Sequence, residues 1–299
     1  MKTENQFLFT KNNIHVSIKR EDLIHPIVSG NKFRKLKYNL LEAKNQNHKT
    51  ILTFGGAFSN HIAAVAFAGN ENGFKTIGVI RGDELVDKIQ ENPTLKFAQE
   101  CGMQFEFVTR NQYQNKNEAS FIDYLKMKFG DFYLIPEGGT NELAVKGCEE
   151  ILTADDNEFD YICCCVGTAG TISGIINSSS ISQKILGFPA LKGDFLNDEI
   201  RTFAKNNNWQ LITDYHFGGY AKITDELINF INDFSIDYKV LLDPIYTAKM
   251  AFGVIDLINK GFFVANSKIL MIHSGGLQGI QGINNLLRKQ NKTLINTND

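Results

Sequence analysis

No window of the 299-residue chain approaches 18 uninterrupted apolar residues, so nothing in it reads as a membrane-spanning helix. The start, Met1-Lys2-Thr3-Glu4-Asn5-Gln6, has no apolar stretch behind a charged beginning, which argues against an export signal and for a soluble cytoplasmic protein. Charge of one sign is equally scarce. The net charge is −2 and no basic run departs from it, which argues against nucleic acid or another polyanion as partner and leaves a small molecule. Cysteine is sparse and wrongly spaced for metal. Cys101 and Cys148 stand alone, and the run Cys163-Cys164-Cys165 is followed by no histidine or cysteine at a zinc-like interval, so no metal site is expected. Within the apolar segment Tyr161 to Val166 those three thiols would alternate between the faces of a strand, as small core hydrophobes in a reducing compartment. Low-complexity segments and repeats of fixed period are missing too, which excludes solenoid architectures.

What is present is apolar residue, 43% of the chain, enough to fill two cores. Short apolar runs at 14–19, 51–54, 76–80, 105–108, 132–135, 161–166, 184–188, 210–213, 239–242 and 269–272 read as strands. Helical spacing falls between them, near 32–46, 60–72, 93–101, 117–129, 141–153, 171–179, 195–206, 224–234, 247–260 and 277–288. Such alternation predicts an α/β protein of two lobes, each an open, mostly parallel sheet flanked by helices, with the ligand in the cleft at the carboxyl ends of the strands. The lobes divide as residues 1–35 with 145–299, the larger, and residues 36–144, the smaller.

The chain is organised around Ser29-Gly30-Asn31-Lys32-Phe33-Arg34-Lys35-Leu36. Asn31 can cap a helix whose apolar positions are Leu36, Leu40 and Leu41, so Lys32 falls in the first turn. A cation there is opposed by the helix macrodipole by roughly 0.3–1 kcal/mol, whereas Lys35 and Lys37 lie on later, more solvated faces. A basic surface helix is the plain alternative. The sharper one is an amine held neutral by burial, able to join the carbonyl of an aldehyde cofactor.

Four loops stand at expected strand ends. Gly55-Gly56-Ala57-Phe58-Ser59-Asn60-His61 opens a helix with good caps, and its free N–H groups suit a carboxylate. Gly167-Thr168-Ala169-Gly170-Thr171 follows a strand and suits a phosphate, without the endings of a nucleoside-triphosphate or dinucleotide loop; a tight turn remains the alternative. Asp243-Pro244-Ile245-Tyr246-Thr247 delivers two hydroxyls to a helix start, as a capping threonine also would. His273-Ser274-Gly275-Gly276 offers a candidate base in His273, although a histidine at a strand end is more often simply hydrogen-bonded. Tyr220, after Gly218-Gly219, is either a loop aromatic or a substrate-facing phenol.

Taken together and in order, these motifs resemble the D-cysteine desulfhydrase and 1-aminocyclopropane-1-carboxylate deaminase family of pyridoxal-phosphate enzymes, built like the tryptophan synthase β-subunit; the match runs from about residue 17 to 280. The resemblance implies pyridoxal 5'-phosphate as cofactor, a small amino acid as substrate and a homodimer. It implies that Lys32 carries the cofactor and moves the substrate proton, that Asn60 bonds the cofactor phenolate oxygen, and that Gly167, Thr168, Ala169, Gly170 and Thr171 form the phosphate cup. Thr247 matches the partner of the pyridine nitrogen, Ser59, Asn60 and His61 the groups at the substrate, and Tyr220 and Tyr246 the substrate-facing phenols. Ring-opening members usually carry Glu where this chain has Thr247, and tend to Gln where it has His61. The resemblance therefore leans to D-cysteine desulfhydration, giving pyruvate, ammonia and sulfide, with 1-aminocyclopropane-1-carboxylate deamination second and a non-catalytic binder of cofactor or amino acid third. Phe58, Ile62-Ala63-Ala64 and Cys148 depart from the family pattern around the substrate pocket.

Overall fold

The alternation at 14–19 has a partner that the sequence pattern does not announce. In the computed structural model, which describes residues 2–192 and 195–297, β1 (Asn5–Lys11) and β2 (Ile14–Lys19) form an antiparallel hairpin. Asn12 and Asn13 turn it at φ of 52° and 59°, a conformation asparagine tolerates. β1 lies at a sheet edge, where half-exposed residues and a register shift between Phe7 and Phe9 blur the period-two signal.

After α1 (Asn31–Asn45), the chain builds a parallel sheet from β3 (Thr50–Gly55), β4 (Lys75–Arg81), β5 (Gln104–Val108) and β6 (Tyr133–Ile135), in the order β5-β4-β3-β6. The helices between them are α2 (Asn60–Glu71), α3 (Pro93–Glu100), α4 (Arg110–Gln114) and α5 (Ala119–Phe129). Buried residues lie on both sheet faces, Ile51 and Ile80 with Leu95 on one, Leu52 and Val79 with Leu125 on the other. The second sheet takes β1 and β2 and adds β7 (Tyr161–Val166), β8 (Lys184–Pro189), β9 (Trp209–Leu211) and β10 (Lys268–Ile272), in the order β1-β2-β10-β7-β8-β9. All its pairings except β1 with β2 are parallel. Its helices are α6 (Glu142–Cys148), α7 (Ala169–Ser178), α8 (Phe195–Phe203), α9 (Asp225–Tyr238), α10 (Thr247–Asn259) and α11 (Gly279–Lys289).

The cysteine run behaves as its spacing predicts: Cys163 and Cys165 join the core on one face of β7 and Cys164 with Cys148 the core on the other. Burial pushes all four thiols up, Cys148 to about 11 and Cys165 to about 12, so they remain protonated hydrophobes. The run 239–242 is not a strand. α9 extends to Tyr238, and Lys239 ends it in the left-handed region. No described helix is long and apolar enough to cross a membrane.

Both sheets aim their carboxyl ends at one cleft. Segments after β2, β7, β8, β9 and β10 line it from one side, and the end of β4 with the segments after β3, β5 and β6 from the other, around a cavity of about 700 Å³.

Candidate active site

α1 begins one residue earlier than its sequence suggests. The residue at the cap position is Gly30, at φ 62°, and Asn31 is already helical, so the expected Asn31 cap is not formed. The reason is a close approach: the Asn31 N–H donates to the Ser274 carbonyl at 3.1 Å, and a Cβ on Gly30 would fall 1.9 Å from that oxygen. Freed from capping, the Asn31 amide donates to Thr171 Oγ1 at 2.9 Å and accepts from Lys32 Nζ at 3.0 Å. Lys32 thus reaches the cleft beside α7, with burial pulling its amine below the ordinary lysine pKa against the weaker pull of Cys165, Cys148 and Asp243.

Lys35 departs from its expected solvated face. It is 1% exposed, and its Nζ donates to the Gly138 carbonyl at 2.9 Å and to Thr140 and Thr168 Oγ1 at 3.1 Å each. Burial and then the Lys32 charge bring its pKa down to about 7. Sequence pattern misses this residue because all three acceptors, Gly138 and Thr140 in the turn after β6 and Thr168 at the cap of α7, lie more than a hundred residues away.

Ser59 caps α2 as predicted, its Oγ accepting from the N–H groups of His61 at 3.2 Å and Ile62 at 3.4 Å, which leaves its own proton free to point into the cleft. Asn60 follows in the first turn, and its Oδ1 is buried without a hydrogen-bond partner among the described residues. His61 is 2% exposed, with Nε2 2.8 Å from Thr53 Oγ1. Thr53 spends its proton on the Ile135 carbonyl at 2.8 Å, so His61 is the donor in that bond. Burial, then Lys32 and Lys35, hold the imidazole well below its usual pKa and therefore neutral.

Gly167, Thr168 and Thr171 line the cleft where β7 gives way to α7, with Ala169 and Gly170 buried in the first turn. Helix N–H groups of that turn face inward without intrahelical acceptors. Space is tight: a Cβ on Gly170 would meet Thr140 Oγ1 at 3.1 Å and Lys35 Cε at 3.2 Å.

Tyr220 and Tyr246 face each other across the cleft wall with ring centroids 6.1 Å apart at 63°. Burial raises both phenol pKa values, Tyr246 far more, so both stay protonated. Thr247 stands just behind: fully buried, its Oγ1 donates to Asp243 Oδ2 at 2.7 Å and accepts from the Asp243 N–H at 2.9 Å. Ser274 and Cys165, which sequence reasoning did not single out as site residues, do line the cleft and pair with each other at 3.1 Å. His273 does not reach it. Its Nε2 donates to the Leu241 carbonyl at 2.7 Å and its Nδ1 accepts from the Gly275 N–H at 3.2 Å, so the ring is a fixed structural link.

A family model described as "Pyridoxal-phosphate dependent enzyme" matches residues 4–275, nearly the whole of both sheets. The chain belongs to this family. A bifunctional D-cysteine desulfhydrase/1-aminocyclopropane-1-carboxylate deaminase of Arabidopsis thaliana is 31% identical, over 90% of this chain and 74% of its own length. A 1-aminocyclopropane-1-carboxylate deaminase of Rhizobium rhizogenes is 28% identical, over 90% of this chain and 89% of its own. The crystal structure of an ACC deaminase homologue superposes with a TM-score of 0.84 at 28% identity, covering 97% of this chain and 94% of the other.

The residues present fit the family's cofactor on their own chemistry. A pyridoxal phosphate carries an aldehyde, a phenolic oxygen and a phosphate. The cleft offers a desolvated amine on Lys32, the side-chain amide of Asn60, whose Nδ2 can donate to the phenolic oxygen, and a helix start closed by hydroxyls and the Lys35 charge.

Proposed function

We propose that this pyridoxal-phosphate enzyme eliminates a good leaving group from a small amino acid, with D-cysteine as its first substrate. The observation that carries the reading is that the α10 start offers no unengaged carboxylate. Thr247 spends its hydroxyl on Asp243, and the one carboxylate of that loop, Asp243, is saturated by the N–H groups of Ile245, Tyr246 and Thr247 at 3.0, 3.0 and 2.8 Å and by Thr247 Oγ1. A weaker electron sink suffices when thiolate departs.

In this reading Lys32 would hold the cofactor's aldehyde carbon until the substrate amine displaces it, Asn60 would meet its phenolic oxygen, and the Gly167–Thr171 backbone with Lys35 would hold its phosphate. The cofactor supplies the electron sink that makes the substrate α-carbon acidic. Lys32 Nζ, whose hold on a proton is weakened by burial, takes the α-proton once the substrate amine has displaced it. Ser59 Oγ and the N–H groups at the α2 start bind and orient the substrate carboxylate, with the neutral His61 beside them. As the Cβ–S bond breaks with its electron pair going to sulfur, a phenol of Tyr220 or Tyr246 donates a hydrogen bond to the departing hydrosulfide. Water completes the conversion of the remaining three-carbon fragment to pyruvate and ammonia. Purified, cofactor-loaded protein is expected to release pyruvate and sulfide from D-cysteine and not from L-cysteine. Release of 2-oxobutanoate from 1-aminocyclopropane-1-carboxylate at a comparable rate would favour the second reading, ring opening, which the Rhizobium relative's name supports.

Lys35 gives a pH test of the phosphate end. An amine with a pKa of about 7 is charged below that pH and neutral above it, so affinity of the cofactor-free protein for inorganic phosphate is expected to fall as pH rises from 7 to 9. Lys35→Met should lower the affinity at pH 6.5 by about 10-fold or more, the scale of one charge-assisted hydrogen bond, and flatten the pH dependence. Calorimetric titration would detect either change, and an unaltered profile would remove Lys35 from the phosphate site.

A further inference from the structure

Lys249 is a buried lysine without a carboxylate partner. It is 2% exposed on α10, and no described acidic group comes within 4 Å of its amine. Its Nζ donates instead to two backbone carbonyls of one loop, His216 at 3.0 Å and Gly219 at 2.9 Å. Burial lowers its pKa to about 8, with Asp243 pulling the other way.

That loop presents Tyr220, and its backbone is held in an unusual course. Phe217, Gly218, Gly219 and Ala221 all have positive φ, at 52°, 92°, 120° and 55°. The two glycines take such angles freely, but Phe217 and Ala221 do so at a cost that something outside the loop must offset. α10 does so along one face. Lys249 binds the two carbonyls, the Phe252 ring meets Phe217 at 5.0 Å edge to face, and Asp256 accepts from the Tyr215 hydroxyl at 2.7 Å. Residues 249, 252 and 256 follow the three-and-four spacing of one helix face. The same helix begins at Thr247, directly after Tyr246. Both cleft phenols are therefore referenced to one rigid element, which sets their 6.1 Å spacing.

We propose that Lys249 is a positioning residue: by gripping the His216 and Gly219 carbonyls it fixes Tyr220 against Tyr246 in the cleft. The proposal rests on the role given above to Tyr220, and two independent readouts separate the two.

The first readout needs no turnover. Limited chymotrypsin and trypsin digestion, followed by mass spectrometry, should find the bonds after Phe217, Tyr220 and Lys222 protected in the parent holoenzyme and cut in K249M. The second is a double-mutant cycle on kcat/KM with D-cysteine. If Lys249 acts through Tyr220, the loss caused by Y220F in the parent shrinks by about threefold or more in the K249M background, and bound-cofactor absorbance stays that of the parent. Should K249M not accumulate as folded protein, G219A enters the same cycle. At φ 120° a Cβ strains the loop from its own side, while its nearest neighbour, Lys192 Cγ, is 3.9 Å away.

Unchanged protection of the loop in the variant overturns the proposal, and so does a Y220F loss of equal size in both backgrounds. Increased cleavage together with a silent Y220F in the parent leaves the anchoring in place and removes Tyr220 from the reaction.

Discussion

Lys32→Ala is expected to lower kcat for the eliminated amino acid by about 10³-fold or more while the protein stays folded, since loss of a positioned base alone costs about 10²–10⁴-fold. The fold should survive because Lys32 contributes little to the core: its amine donates to Asn31 Oδ1, a side chain that keeps its bond to Thr171. Cofactor should still be captured through the Asn60 and Gly167–Thr171 groups, but gel filtration would now strip it from the variant and not from the parent. Two controls separate the amine from its charge. Lys32→Arg keeps a cation that cannot be deprotonated and should be as inactive as alanine. Added ethylamine should restore part of the Lys32→Ala rate, rising with pH as free amine accumulates. A Lys32→Ala protein turning over at the parent rate would end the assigned mechanism.

How far such a site is legible depends on the range of the interactions that build it. The starts of α2 and α7 follow strands directly, and their glycines, hydroxyls and caps all lie within a few residues, so Ser59 and the 167–171 turn could be placed from local pattern. Lys32 falls in the first turn of α1 as its local pattern predicts, although Gly30 and not Asn31 holds the cap position. What set the α1 cap was different in kind: Ser274, on the far end of the chain, approaches so closely that only glycine fits at position 30. Lys35 and Lys249 carry the same lesson. A lysine reads as solvated from its own helix, and only acceptors from distant loops reveal that each amine is enclosed. The strand expected at 239–242 failed because apolar content marks burial and not a free sheet edge, and β1 was overlooked because an edge strand need not alternate.

Glu21→Ala is expected to cost about 3–5 kcal/mol of stability, the range for removing one partner of a buried ion pair. Glu21 is wholly buried in the short turn after β2, and its carboxylate accepts from Arg34 Nε and Nη2 at 2.9 Å each and from Thr3 Oγ1 at 2.6 Å. Arg34, 1% exposed on α1, would retain Glu150, which lies at 3.5 Å and is already engaged by Lys37 and Tyr38. That residual contact favours the lower end of the range. The pair also sits where function is set, because the Glu21 carbonyl accepts from the Gly30 N–H at 3.0 Å, two residues before Lys32. Urea unfolding of the cofactor-free protein measures the loss. Glu21→Met combined with Arg34→Met should cost less than the two single changes added together, since the desolvation penalty of both charges leaves with them. A loss below about 1 kcal/mol for Glu21→Ala would mean that the pair behaves like a surface salt bridge. The β2–α1 turn would then owe its geometry to the Gly30–Ser274 approach alone.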